Sequence, residues 1–378
     1  MKILHVTSDW KWTGPAEPML HAVTGLRERG HACDLACPAE PSGTGPGLLE
    51  RARERGVEPV EQLSVAQGYR PWRDRDQVLR LRAAIEKGGY DVVHAHHTRD
   101  LLLCRAALRG SRARRVVSWH RGEPIPSVLW NRWLWGPGAL DGLTVLSPRL
   151  RAAAHETLGW PSERVLELPG VVDAKRFAPR EANDAVAREL GLAREHCVVG
   201  IVARLQPHRR FELLLDAVDR ARHELPQLRL LVVGRGTRAR EVLDEPVAAR
   251  GLGDVVIRAG YRRDDYLDVL ARMRALVFLV PGSDGSCRAV LEAMAMQIPI
   301  IATRRGILPD LIENGVTGRL VDETPEALAE AFRELQQDPA TWSERGKAAR
   351  GRILSLHRVE QHAERLDRFY ARLLGAES

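Results

Sequence analysis

No apolar run in this sequence approaches the ~18 residues that a membrane-spanning helix needs. Nor is there a CxxC pair, a low-complexity tract or a short-period repeat. The first residues, MKILHVTSDW, turn polar too early for a secretory leader and read as a first buried strand. Cysteine is scarce: Cys33, Cys37, Cys104, Cys197 and Cys287 are scattered and odd in number. They are expected to be reduced thiols in a cytoplasmic protein, forming neither a disulfide framework nor a zinc site. No groove-reading motif and no interleaving of aromatics with basic residues is present, which argues against a nucleic-acid partner.

What is present is an ordinary globular composition, 44% hydrophobic and 28% charged over 378 residues, enough for two domains with full cores. The net charge of +7 comes almost wholly from arginine. Residues 99–121 hold seven arginines and a single acid, Asp100. Such a stretch is either a solvated basic face or a contact for a phosphate-bearing substrate or an anionic membrane. The tryptophan-rich WNRWLWGPG (130–138) follows it and reads either as a core helix or as a segment that dips into a membrane interface.

Apolar strands alternate with helical patterns along the whole chain, the rhythm of βα units on a parallel sheet. KILHVTS (2–8), HACDLACP (31–38), YDVVHAHH (90–97), RRVVSWH (114–120) and GLTVLS (142–147) form a first series. A linker-like stretch with a short helix, 170–197, precedes a second series: CVVGIVARL (197–205), LRLLVVGRG (228–236), VVIRAG (255–260), ALVFLVPG (275–282) and PIIAT (299–303). The fold class is therefore α/β, with two Rossmann-like, doubly wound parallel-sheet domains facing across a cleft. The expected boundaries are 1–175, 176–355 and a terminal helix, 356–378, crossing back to the first domain. Ligands in such sheets bind beyond the carboxyl ends of strands.

Several stretches at those ends carry chemistry. In PGSDGSCRAVLEAMAMQIPIIAT (281–303) a loop runs into a helix with Ser286 as a plausible N-cap. The helix's first N–H groups can hold a diphosphate. Glu292, in its second turn, either accepts hydrogen bonds from ribose hydroxyls or makes a surface ion pair, and Asp284 is either a sugar contact or a turn residue. In VARLQPHRRFELLL (202–215), Arg204 and Arg209 follow a strand and can clamp phosphates, stabilising charge that builds on a leaving nucleoside diphosphate. Gly234, Gly236 and Ala239 make a GxGxxA pattern, but the following strand ends at Arg258–Gly260 with no acid for a ribose, so a dinucleotide site is disfavoured. Gly234 is instead expected to let a nucleotide approach the backbone. Gly14, in TGPAEPM, could admit a phosphate. His120 ends a strand and either meets a sugar hydroxyl or sits satisfied at the sheet edge. His94 and His96 share a strand face, with no third metal ligand evident.

Together these pieces resemble the retaining glycosyltransferases of family 4, the group 1 transferases, whose GT-B fold has two facing Rossmann-like domains. LPGVVDAKRFAP (168–179) is similar to the family's NGVD…F.P segment, with Pro169 where that segment has Asn. VARLQPHRRFELLLDAV is similar to its GRL.P.KG phosphate clamp, with Arg204 matching the arginine and Arg209 in place of the lysine. DGSCRAVLEAMAMQIPIIAT is similar to its E-x7-E element, with Asp284 replacing the first glutamate and Glu292 matching the second. The resemblance implies a sugar transferred with retention from a nucleotide-sugar donor, a UDP-sugar favoured, to a cell-surface glycan or lipid-linked acceptor. It implies catalytic roles for His120, Arg204, Arg209 and Asp284. Donor contacts would come from Gly14, Gly234, Arg258, Gly285, Ser286, Cys287, Arg288 and Glu292, with no metal and no cofactor. An anionic membrane surface is a further expected partner, which would make the protein peripheral on the inner face of a membrane. A sugar-nucleotide epimerase on the same fold and a catalytically silent nucleotide-sugar binder are the competing readings.

Overall fold

In a computed structural model of the protein, which describes residues 1–12, 14–42, 47–63, 69–282 and 285–375, the apolar runs become two parallel sheets. The first comprises β1 (Lys2–Val6), β2 (Ala32–Pro38), β3 (Glu61–Leu63), β4 (Val92–Ala95), β5 (Arg114–Trp119), β6 (Gly142–Val145) and β7 (Val165–Glu167), in the order β3-β2-β1-β4-β5-β6-β7. The second comprises β8 (Cys197–Val202), β9 (Leu228–Val233), β10 (Val256–Gly260), β11 (Ala275–Phe278), β12 (Ile300–Thr303) and β13 (Gly318–Val321), in the order β10-β9-β8-β11-β12-β13. Strands such as β4, β6, β11 and β12 are buried on both faces, which is why they read as continuous β-branched and aliphatic runs instead of alternating ones.

Both sheets reverse their strand order once, between β1 and β4 and between β8 and β11. At such a switch point the connections leave toward opposite faces and open a crevice at the carboxyl ends of the two central strands. Each switch point defines where that unit can bind a ligand.

The chain divides into two compact units. One contains Met1–Val171, Gly285, Ser286 and the chain from Val359 onward; the other contains Val172–Gly282 and Cys287–Arg358. The division thus falls at residue 171, where the sequence reading placed it at 175. In the first unit the helix Val359–Leu374 packs on the helix Ala16–Glu28. Its Leu366, Phe369 and Tyr370 join Leu20, Val23 and Leu26 in one core. In the second unit the helix Phe211–Ala221 packs on Pro325–Gln337, burying Leu214 and Val218 with Leu328 and Phe332. Thr324 caps the latter helix, its Oγ1 accepting from the Ala327 N–H at 3.2 Å.

Candidate active site

In the second unit the switch point lies between β8 and β11. The turn after β8 carries Arg204, whose side chain is exposed and bonds to none of the described residues. Arg209 comes from the 3₁₀ turn Pro207–Arg209 and donates from Nη1 to the Val280 carbonyl at 2.7 Å, while lying over the Phe278 ring. It therefore ties the β8 loop to the loop after β11. Arg210, which follows, adopts a left-handed backbone (φ 60°) and pairs with Glu212 and Glu323.

The glycines after β9 hold this arrangement. Gly234 has φ 145°, and a Cβ there would lie 2.0 Å from the Ala203 carbonyl oxygen; one at Gly236 would lie 2.2 Å from that of Leu205. The parallel ladder continues past the strand ends, with the Leu205 N–H donating to the Arg235 carbonyl at 3.2 Å. This differs from the expectation that Gly234 admits a nucleotide: the close approach is to the backbone that positions Arg204. Arg258, expected at the donor, lies exposed on the edge strand β10 and is held by both Asp244 carboxylate oxygens at 2.8 Å.

Beyond β11, Asp284 falls outside the described residues. The helix that follows spans Arg288–Ala295, and its N-cap is Cys287, in a left-handed conformation (φ 47°) with no side-chain capping bond. Ser286 is not the N-cap as expected; it groups with the first unit. The Val290 N–H of the helix's first turn donates to the Cys287 carbonyl at 2.8 Å, and the positive end of the helix dipole lies at this terminus. Arg288 adds a cation in the first turn, where the helix dipole disfavours one. Glu292 is 4% exposed, set among the buried Val290, Leu291, Ala293 and Met294. Its carboxylate accepts from the Tyr266 hydroxyl at 2.7 Å and pairs with Arg288 at 3.0 Å. Burial and the adjacent Glu292 charge hold the Tyr266 phenol well above its ordinary pKa, so it remains a donor. A buried carboxylate with two partners is rigidly aimed, unlike a surface ion pair.

In the first unit a cavity of about 20 Å³ is lined by Gly14, His94, His96, His120, Ser286 and His362, among others. Three residues that sequence had linked only by resemblance, Gly14, His120 and Ser286, thus meet here. The Gly285 N–H donates to the His120 carbonyl at 2.5 Å, which ties the 285–286 segment to the loop after β5.

Behind His120 lies a cluster that the sequence reading did not assemble. His5 on β1 is in register with His94 on β4, a pairing invisible until strand order is known. His5, His94 and His96 place ring nitrogens within 4.8 Å of one another, the set of described residues that could hold a metal. In the structure all of these nitrogens but His5 Nε2 are engaged otherwise. His94 bonds Tyr370 Oη at 2.6 Å and Ser118 Oγ at 2.8 Å. His96 bonds His5 and His120, and the His94 and His96 rings stack within 20° of parallel, so their lone pairs do not converge. Burial lowers the pKa of His5, His120 and His362 to about 3 and pushes those of His94 and His96 well below the ordinary value, so all five rings are neutral. His97, the N-cap of the helix Thr98–Ala107, bonds the Asp100 carboxylate at 3.0 Å; against the lowering effect of burial, this carboxylate raises its pKa.

The tryptophan segment is not a core helix throughout. The helix Leu129–Trp135 buries Leu134 and Trp135 but leaves Leu129 87% and Trp130 58% exposed, with Val128 and Trp133 also outward. Arg105 stacks on Trp133 at 3.7 Å. Of the seven arginines in 99–121, Arg99 is buried and paired with Asp74 at 2.8 Å, so it does not belong to a basic face. Among the described residues no helix is long and apolar enough to cross a membrane.

Residues 16–176 match the family model described as Glycosyltransferase Family 4, and residues 183–352 match Glycosyl transferases group 1. The chain belongs to the group 1 glycosyltransferases. Among curated relatives of this glycosyltransferase is the GDP-mannose-dependent alpha-(1-6)-phosphatidylinositol monomannoside mannosyltransferase of Mycolicibacterium smegmatis, 27% identical over 374 residues and 92% of each chain. Among solved structures, a glycosyltransferase from Rickettsia africae superposes with a TM-score of 0.84 at 16% identity, covering 100% of this chain and 99% of that one. The Anabaena protein HepE, solved in complex with UDP, gives 0.82 at 18% identity, covering 98% and 100%. The two parallel-sheet domains are those of the GT-B fold, and the activity of the family is glycosyl transfer.

Proposed function

We propose that this glycosyltransferase moves a sugar, with retention at the anomeric carbon, from a nucleoside diphosphate donor held by the second unit to a lipid-linked or cell-surface glycan acceptor met by the first. The observation that carries the donor half is Arg204: an exposed guanidinium with no partner among the described residues, at the carboxyl end of a central strand, beside a switch point. Arg209, Arg288 and the N-terminal end of the helix Arg288–Ala295, with its dipole, add positive charge around the same loop. Such a set attracts an anion, and it stabilises a departing diphosphate more than the intact donor. Glu292, oriented by Tyr266, is the residue to accept from ribose hydroxyls. Because guanidiniums and a helix terminus supply this charge, the reading requires no divalent ion, and a chelator should leave activity intact.

The curated relative uses GDP-mannose by its name and HepE was solved with UDP, so both bases enter the test; the UDP preference drawn from resemblance rests on no base-contacting residue. The lipid-linked acceptor fits the relative's phosphatidylinositol monomannoside substrate and the outward Leu129–Trp133 surface with its arginine.

A thermal-shift screen of UDP, GDP and their sugars decides the donor. A ligand at ~100 times its Kd should stabilise the protein by about 2.7 kcal/mol. Failure of every nucleoside diphosphate to raise the Tm would overturn the reading. Transfer of labelled sugar to a lipid extract, with release of nucleoside diphosphate, separates a transferase from an epimerase, which needs no acceptor.

A further inference from the structure

His120 is the end of a chain of imidazoles. His96 Nε2 lies 2.9 Å from His5 Nδ1, and His96 Nδ1 lies 3.2 Å from His120 Nε2. The rings of His96 and His120 stack at 5.4 Å, within 16° of parallel. His5 is fully buried. Its remaining nitrogen, Nε2, has no hydrogen-bond partner among the described residues.

A neutral imidazole has one N–H and one lone pair. Each of the two bonds needs one of each, so a chain of three neutral rings has two fully bonded arrangements. In one, every proton is on Nε2: His120 donates to His96, and His96 donates to His5. His5 then keeps a buried N–H with nothing to receive it. In the other, every proton is on Nδ1: His5 donates to His96, and His96 donates to His120. The unpaired atom inside is then only a lone pair, and His120 turns an N–H outward from Nδ1. Orphaned buried N–H groups are rarer in proteins than under-used acceptors, because the penalty of an unmade donor bond is not recovered elsewhere. The strong lowering of the pKa values of His5, His96 and His120 supports three neutral rings.

We propose that His5 and His96 are positioning residues that hold His120 as its Nδ1–H tautomer, so that it offers the acceptor a hydrogen-bond donor and cannot act as the base. The tautomer relay stands on geometry alone; its consequence for the acceptor rests on the transferase reading. His120 then orients an acceptor oxygen, and the proton of the attacking hydroxyl passes to an oxygen of the departing nucleoside diphosphate as its bond to the sugar breaks.

The test is a two-bond ¹H–¹⁵N correlation spectrum of the full-length protein labelled at histidine nitrogens, with His120 assigned by its loss in His120→Gln. Protonated Nδ1 and bare Nε2 are expected at His120. A dominant Nε2–H form overturns the relay without any question of whether a variant folds. In His96→Asn the amide nitrogen takes the place of the ring Nδ1 and still donates, so the tautomer should persist. In His96→Leu it should become a mixture, and kcat should fall about tenfold, the worth of one hydrogen bond, with donor KM unchanged. An unchanged tautomer in His96→Leu also overturns the relay. A changed tautomer with unchanged kcat confirms the relay and overturns its role in transfer.

Discussion

At the scale of single residues, Arg204 and Arg209 separate binding from architecture. Both are arginines after β8, but the Arg204 side chain bonds to no described residue, whereas Arg209 bridges to the Val280 carbonyl. Arg204→Ala should therefore lower kcat by roughly 10²–10³, as loss of a preorganised charge at a developing anion does. Stability should stay within about 0.5 kcal/mol of the parent in urea unfolding. Arg209→Ala should lose activity and about 1–3 kcal/mol of stability together, because the Val280 carbonyl loses its charged donor. Near-normal turnover in Arg204→Ala would remove it from the donor site. Tyr266→Phe deletes the hydroxyl that aims Glu292; nucleotide affinity measured by calorimetry should weaken about tenfold, while unchanged affinity would detach Glu292 from the ribose. Arg204, Arg209 and Glu292 stood out in the sequence because each lies downstream of a recognisable strand, where the fold places ligands, whereas Tyr266 did not. Cys287 was not, since nothing in SDGSCR signals that a cysteine takes a left-handed backbone at the helix start. Nor did the run VVIRAG reveal that Arg258 would be claimed by Asp244.

At the scale of elements, the long β-branched strands were legible and the short edge strands of the first sheet were not. β3 (EQL) and β7 (VLE) are three residues each and carry no run that distinguishes strand from loop. Their pairing is supplied by β2 and β6, a tertiary effect that local propensity does not report. The histidine cluster was hidden for the same reason: His5 and His94 are far apart in sequence and meet only through the register of β1 with β4. The loop after β9 gives an element-scale prediction. Gly234→Ala forces a Cβ against the Ala203 carbonyl and a backbone that alanine resists, so stability should fall by about 2 kcal/mol or more. Because the displaced segment carries Arg204, kcat should fall as well. A Gly234→Ala protein with parental stability and turnover would show that this close approach is not required.

At the scale of the whole molecule, buried neutral histidines make stability depend on acidity. His5 and His362 have pKa values of about 3 in the folded protein, against 6.5 for the ordinary side chain. Between those limits the unfolded chain binds more protons than the folded one, so stability falls as pH drops from about 6.5 and is unaffected above it. Each such group contributes a slope of up to ~1.4 kcal/mol per pH unit. Urea melts across this window should show it, and His362→Gln should reduce the slope by about one proton; an unaltered slope would contradict the assignment. The outward Leu129–Trp133 surface makes a second prediction at this scale. Leu129→Ser with Trp130→Ser should weaken sedimentation with anionic vesicles at least about tenfold, by removing two apolar side chains from the interface. Equal binding by the parent and the double variant would sink the membrane contact. Finally, the helix Val359–Leu374 completes the core of a unit begun by Met1. A ribosome must therefore deliver the whole intervening unit before the first one can close. Until then the apolar groove that awaits Phe369 and Tyr370 is open to chaperones, and the two halves of the enzyme mature in the reverse of the order in which they start to emerge.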